Sequence, residues 1–119
     1  MSNTDFWEDV MGDSKPIHIN EWGGKSTDTY QFDLLDPHAI AVMARVLTEG
    51  AAKKGEWNWR LVPVWVHLRH ALGHIFAWLG GDRGDDHLGH ALVRLMMAVS
   101  VTERPPLQEE IEKIAALSD

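Results

Sequence analysis

The chain has 119 residues, enough for one modest hydrophobic core and too few for two independent domains. Eighteen acidic residues against eleven basic ones give a net charge of −7, which argues against gripping duplex nucleic acid by its phosphates. With no cysteine, disulfides and thiolate metal sites are excluded, and any metal must be held by histidine, carboxylate or water.

The stretch Met1 to Gly12 carries Asp5, Glu8 and Asp9, with neither a basic start nor an apolar run, so it is not a signal peptide. No uninterrupted apolar stretch approaches the roughly 20 residues that span a bilayer. The expected location is therefore the cytoplasm, away from membranes. Met1 to Gln31 shows no helical period longer than a turn, and Pro16 and Gly23-Gly24 punctuate it. It reads as an irregular arm extending to about residue 35.

From there the pattern is helical. Asp36-Pro37 is a cap followed by proline at the first helical position, where the missing N–H costs nothing. A helix follows to about Lys54, with Ile40, Met43, Ala44, Leu47 and Ala51 as its apolar face and Gly55 as its stop. Trp57, Asn58, Trp59 and Arg60 then crowd a short segment before Pro63, more aromatics and donors than a spacer needs. A second helix runs from Pro63 or Val64 to Leu79 and ends at Gly80-Gly81. The acidic turn from Asp82 to Asp86 leads into a third, from about Asp86 to Val101. A turn that short forces an antiparallel hairpin. Pro105-Pro106 breaks the chain, and Leu107 to Leu117 forms a last amphipathic helix with Glu109, Glu110 and Glu112 near its start, where the helix dipole favours them. With no strand-like alternation, the fold class is all-α: a single domain over 1–119, built as a small antiparallel bundle of about four helices over 36–117.

His67-Leu68-Arg69-His70-Ala71-Leu72 recurs as His87-Leu88-Gly89-His90-Ala91-Leu92. At about 100° per residue, His67, His70, His74 and Trp78 share one sector of the second helix, opposite Leu68, Leu72, Ile75, Phe76 and Leu79. His87, His90, Arg94 and Ala98 share the matching sector of the third, opposite Leu88, Leu92, Leu95, Met96 and Val99. Both helices thus carry a broad apolar face and an imidazole face, and one neighbour cannot cover both. Either the other helices or a second copy must cover one face, which predicts a homodimer or higher oligomer. In an antiparallel pair His67 lies about 12 Å beyond the others, so the four histidines cannot form one cage. His74, His87 and His90 can converge with Asp82, Asp85 and Asp86. Histidine with carboxylate suits Zn²⁺ or Mn²⁺, and carboxylate with water suits Mg²⁺.

Several short motifs in this order carry a resemblance: Phe32-Asp33-Leu34-Leu35 with Pro37, Val46-Leu47-Thr48-Glu49-Gly50-Ala51-Ala52-Lys53, Asn58-Trp59-Arg60, Arg69-His70 and His87-Leu88-Gly89-His90-Ala91. Over about Gly24 to Val101 the chain resembles the phage-encoded dATP/dGTP diphosphohydrolase-like domain, itself similar to all-α nucleoside triphosphate pyrophosphohydrolases that use Mg²⁺ or Mn²⁺. The resemblance implies Lys53, Asn58, Trp59, Arg60, His70, His87 and His90 as site positions. Lys54 stands where the family has tyrosine, Gly81 where it has glutamate and Arg94 where it has asparagine. Between Leu61 and Leu79, and between His87 and Thr102, there is no acidic residue.

Two functions of different class follow. In the first, the protein is a purine (deoxy)nucleoside triphosphate pyrophosphohydrolase: Glu49, Asp82, Asp85 and Asp86 bind Mg²⁺ or Mn²⁺, and His70, His87 and His90 are catalytic, with His87 or His90 as the base. Lys53, Asn58, Trp59, Arg60, Arg69 and Arg94 then bind substrate. In the second, it is a catalytically inactive module that binds a nucleotide or a host protein, in a sequestration or anti-defence role. Arg60, Arg69 and Arg94 would then grip phosphate, and Trp57, Trp59 or Trp78 would stack on a base without a metal.

Overall fold

A computed structural model of the chain describes residues 3–12 and 15–117. These fall into two compact units, Met1–Leu35 and Asp36–Asp119. Of the expected irregular arm, residues 1, 2, 13 and 14 lie outside the described residues, as do 118 and 119 at the other end.

The first unit is more regular than the sequence suggests. It holds helix α1 (Asn3–Met11), the antiparallel ribbon of β1 (Ile17–Ile19) and β2 (Lys25–Thr27), and a 3₁₀ turn over Phe32–Leu34. Register pairs Ile17 with Thr27 and Ile19 with Lys25. The Asn20 side chain closes the hairpin by accepting from the backbone N–H groups of Trp22 and Gly24. The α1 helix escapes a period-based reading because Phe6, Trp7, Val10 and Met11 repeat only once. What secures it is non-local: the Val10 carbonyl accepts from the Tyr30 N–H and the Thr29 hydroxyl, and the Tyr30 hydroxyl donates to Asp9. Gly12, at φ 80°, lies so close to the Asp28 carbonyl that no side chain would fit.

The second unit is helical: α2 (Pro37–Lys54), a 3₁₀ turn (Asn58–Leu61), α3 (Val64–Leu79), α4 (His87–Glu103) and α5 (Gln108–Leu117). Asp36 caps α2 by accepting from the Ala39 N–H, and Pro37 occupies the first turn. Asp86 does the same for α4 through the Gly89 N–H. The α3–α4 hairpin is antiparallel: His74 meets His87 near the turn, and His67 meets Arg94 two turns further on. Helix α4 is central and buries Gly89, Ala91, Val93, Ala98 and Val101, while α2 contributes Val46, α3 Ala71 and α5 Ile114.

The expected α2 face is only partly turned inward, and the hairpin shows which of its two faces is covered. On α2 the buried residue is Val46, whereas Ile40 and Ala44 are exposed. On α3 and α4 it is the imidazole sectors that face each other, with His67 and His87 buried. Leu68, Leu72, Phe76 and Leu79 on α3, and Leu88, Leu92, Leu95 and Val99 on α4, are exposed. The imidazoles can be buried because they hydrogen-bond one another, a carbonyl and charged neighbours. Among the described residues, no buried side-chain nitrogen or oxygen lacks a partner.

Candidate functional site

The turn between α2 and α3 is built to expose tryptophan. Gly55 stops α2 at φ 97°, and Trp57 then takes a left-handed conformation at φ 63°, rare for a bulky residue. Arg60 anchors the turn from below. Only 1% exposed, it donates to both carboxylate oxygens of Glu110 at 2.8 and 3.0 Å, to the Arg104 carbonyl at 2.6 Å and to Ser100 Oγ. Those bonds hold the Glu110 carboxyl below its ordinary range. Trp57 and Trp59 are left side by side, ring centroids 5.9 Å apart.

The tryptophans form one end of a groove of about 810 Å³. Glu49, Lys53 and Lys54 line it from α2, Trp57, Asn58 and Trp59 from the turn, and Asp85, His90 and Arg94 from the α4 side. Val46, Val93 and Met97 give it an apolar floor. The volume is that of a small-molecule site. Arg94 is tied through His67: its guanidinium donates to His67 Nδ1 at 3.2 Å, and His67 Nε2 donates to the Trp59 carbonyl at 3.0 Å. Burial, reinforced by Arg94, depresses the His67 pKa despite that carbonyl.

Where the hairpin turns, three imidazoles meet. His74 and His87 bring their Nδ1 atoms to 2.9 Å, and His90 stacks on His74 with centroids 5.0 Å apart. His87 Nε2 donates to Asp82 Oδ2 at 2.8 Å, and His90 Nε2 lies 3.6 Å from Asp85 Oδ1. Burial, then the neighbouring imidazoles of His90 and His87, lower the His74 pKa. Ligand atoms of His74, Asp85 and His87 all lie within 4.8 Å of one another, a grouping that could hold a metal ion. On its other side, His74 and His87 line a smaller hollow of about 380 Å³ with Arg69, Gly73 and His70.

The structure therefore sorts the expected site residues. Glu49, Lys53, Asn58, Trp59, Asp85, His90 and Arg94 share the groove, while Arg69 and His70 line the smaller hollow, with Arg69 stacked 4.7 Å over Trp65. Arg60 is not available to a ligand, because its donors are committed inside the unit. The four expected carboxylates do not form one cage. Asp86 caps α4 and pairs with Arg45 at 2.7 Å, Asp82 accepts from His87 and the Gly84 N–H, and Glu49 stands on the α2 wall. The roles of Lys54 as a groove cation and of His67 as a brace were not read from the sequence. Lys54 is adjacent to Lys53, a visible signal, whereas the His67 bonds depend on the tertiary pairing of α3 with α4.

Fold and site together define a small all-α domain with a groove of small-molecule size bearing cations and indoles beside a histidine–aspartate cluster. The chain belongs to the family described as dATP/dGTP diphosphohydrolase, N-terminal, whose sequence model matches residues 20–111. No curated protein and no solved structure matches it significantly. No helix among the described residues is long and apolar enough to cross a membrane.

Proposed function

We propose that the protein is a purine deoxynucleoside triphosphate pyrophosphohydrolase, acting on dATP or dGTP. The observation that carries the reading is the groove that joins Trp57 and Trp59 to Lys53, Lys54 and Arg94, with His90 and Asp85 on the α4 side. Indole faces accept any base by stacking, and the lysines with Arg94 offset the phosphate charge that the acidic chain would otherwise repel. Asn58, half-buried beside them, offers an amide that can donate to and accept from a purine edge.

In this reaction water attacks the α-phosphorus, the bond from that phosphorus to the oxygen bridging to the β-phosphate breaks, and pyrophosphate leaves with the electron pair. His90 takes the water's proton, and Asp85 beside it stabilises the imidazolium that results. Lys53 and Arg94 hold the phosphates in line. A divalent metal, implied by the family, would neutralise phosphate charge and lower the pKa of water. The residues present fit such an ion through His74, His87 and Asp85, a set with more nitrogen than Mg²⁺ prefers. In the same reading a second copy covers the exposed leucine faces of α3 and α4, and the protein works as a homodimer.

The test is product analysis with dATP and dGTP under Mn²⁺ and Mg²⁺. Deoxynucleoside monophosphate and pyrophosphate in equal amounts, abolished by His90→Ala and weakened in KM by Lys53→Ala, are expected. Tight nucleotide binding without turnover under either metal would replace hydrolysis by sequestration, a reading favoured by the dispersal of Asp82 and Asp86 into other bonds. Absence of binding would reject both. A monomer by sedimentation at micromolar concentration would reject the dimer.

A further inference from the structure

The facing imidazoles of the hairpin are arranged for something more specific than a hydrogen bond. We propose that His74 Nδ1, His87 Nδ1 and a carboxylate oxygen of Asp85 bind a borderline transition metal ion, such as Mn²⁺, Co²⁺ or Zn²⁺, with Asp82 positioning His87. The proposal rests on the hydrolytic reading for the centre's use, not for its existence.

Geometry comes first. Two nitrogens bound to one ion at about 2.1 Å stand about 3.0–3.4 Å apart in octahedral or tetrahedral arrangement. The two Nδ1 atoms stand 2.9 Å apart, so a small outward rotation of either ring opens the position. An Asp85 oxygen lies within 4.8 Å of a ring nitrogen of each histidine. Two ligands on opposite sides of an ion are about 4.2 Å apart; Asp85 Oδ1 accepts from the Asp86 N–H at 2.8 Å, and its half-exposed side chain can close the difference with its second oxygen.

The second argument is the tautomer. Asp82 Oδ2 accepts from His87 Nε2, which places the proton on Nε2 and leaves the Nδ1 lone pair directed at His74. A carboxylate behind the outer nitrogen is the support that metal-bound histidines ordinarily have. Asp82 is itself held by the Gly84 N–H at 2.9 Å, so the support is rigid. An ordinary pair of neutral imidazoles needs a proton between the two Nδ1 atoms; a metal ion takes that proton's place.

The third argument is chemical selectivity. Two imidazoles and one carboxylate match Mn²⁺, Co²⁺ and Zn²⁺ far better than Mg²⁺, which prefers oxygen and keeps its waters. His90, stacked on His74 and lining the groove, places the ion next to the nucleotide and leaves coordination positions for water or phosphate.

The experiment uses the metal-free full chain without nucleotide. Calorimetry with Co²⁺, Mn²⁺, Zn²⁺ and Mg²⁺ is paired with the visible spectrum of bound Co²⁺. One ion per chain is expected, with Mg²⁺ the weakest. Asp82→Asn should lower Co²⁺ affinity by roughly 10- to 100-fold, as loss of a supporting carboxylate does, and His74→Gln or His87→Gln by more. Should those variants fail to fold, ring-nitrogen NMR of the wild type with Zn²⁺ decides, since the Nδ1 signals of His74 and His87 must shift. No binding, unshifted ring nitrogens, unchanged affinity in folded variants, or Mg²⁺ as tight as Co²⁺ would overturn the proposal. Metal binding without nucleotide turnover would leave the centre standing and reject only hydrolysis; turnover with Mg²⁺ in a protein that ignores Co²⁺ would do the reverse.

Discussion

Arg94 donates to Nδ1 of His67, and that single bond fixes the histidine's tautomer. Arginine has no acceptor, so the His67 proton must sit on Nε2, where it is donated to the Trp59 carbonyl. A groove cation, a buried imidazole and the tryptophan turn form one connected unit.

The first prediction concerns pH. His67 is fully buried and its pKa is held below the ordinary 6.5 by burial. The unfolded chain takes up the proton at about pH 6.5 while the folded chain resists it, so this stabilisation is complete above that value and is lost as pH falls toward the folded pKa. Thermal melts should show Tm falling between roughly pH 7.5 and 5.5. His67→Met should cost about 1–3 kcal/mol at neutral pH and flatten the slope, leaving only the share of His70 and His74, whose pKa values are also lowered by burial. An unchanged slope in that variant would remove His67 from the account.

Arg60 and Glu110 give an asymmetric pair. Arg60 is buried, whereas the Glu110 side chain is 26% exposed and can recover water if left alone. Glu110→Ala strands a buried guanidinium and should cost about 3 kcal/mol in urea unfolding, whereas Arg60→Met should cost less, about 1–2 kcal/mol. Because the Glu110 pKa is depressed, its contribution is present above the ordinary carboxylate range and is lost as pH falls through the folded value. Equal costs, or the reverse order, would count against the pairing.

Gly89→Ala inverts a general rule. Alanine within a helix ordinarily stabilises by up to about 1 kcal/mol over glycine. Here the new Cβ would collide with Asp86 Oδ2 and stand 2.8 Å from Val42 Cγ1. The Asp86 cap must give way and α4 must move off α2. The variant should be destabilised by about 1–2 kcal/mol, the worth of a helix cap, and a rise in Tm would count against the close approach of α4 to α2 at Gly89.

Trp57→Gly separates stability from binding. The left-handed backbone at Trp57 costs about 1–2 kcal/mol that glycine does not pay, and the ring, 55% exposed, returns little packing. Stability should therefore hold or rise, while calorimetry with dATP loses the stacking, worth about 1–3 kcal/mol. Unchanged dATP affinity would place the base elsewhere.

Much of the helical unit was legible in the residues. Asp36-Pro37 and Gly55 bound α2 where the structure bounds it, and Gly80 ends α3, because caps and stops are local chemistry. The meeting of His74, His87 and His90 follows from helix periodicity and a short turn. Arg60 reads as a ligand-binding group because it stands beside tryptophans, whereas the partner it has in the fold, Glu110, lies fifty positions away. Periodicity and the turn allow the imidazoles to converge without requiring it: they show that two faces differ, not which one the partner helix takes.

Arg60 also ties the groove to a segment that lines no part of it. The carboxylate that anchors the tryptophan turn belongs to α5, whereas the groove walls come from α2, the turn and the α4 side. A substitution on α5 therefore reaches the indoles through the Arg60 guanidinium, without touching whatever the groove holds.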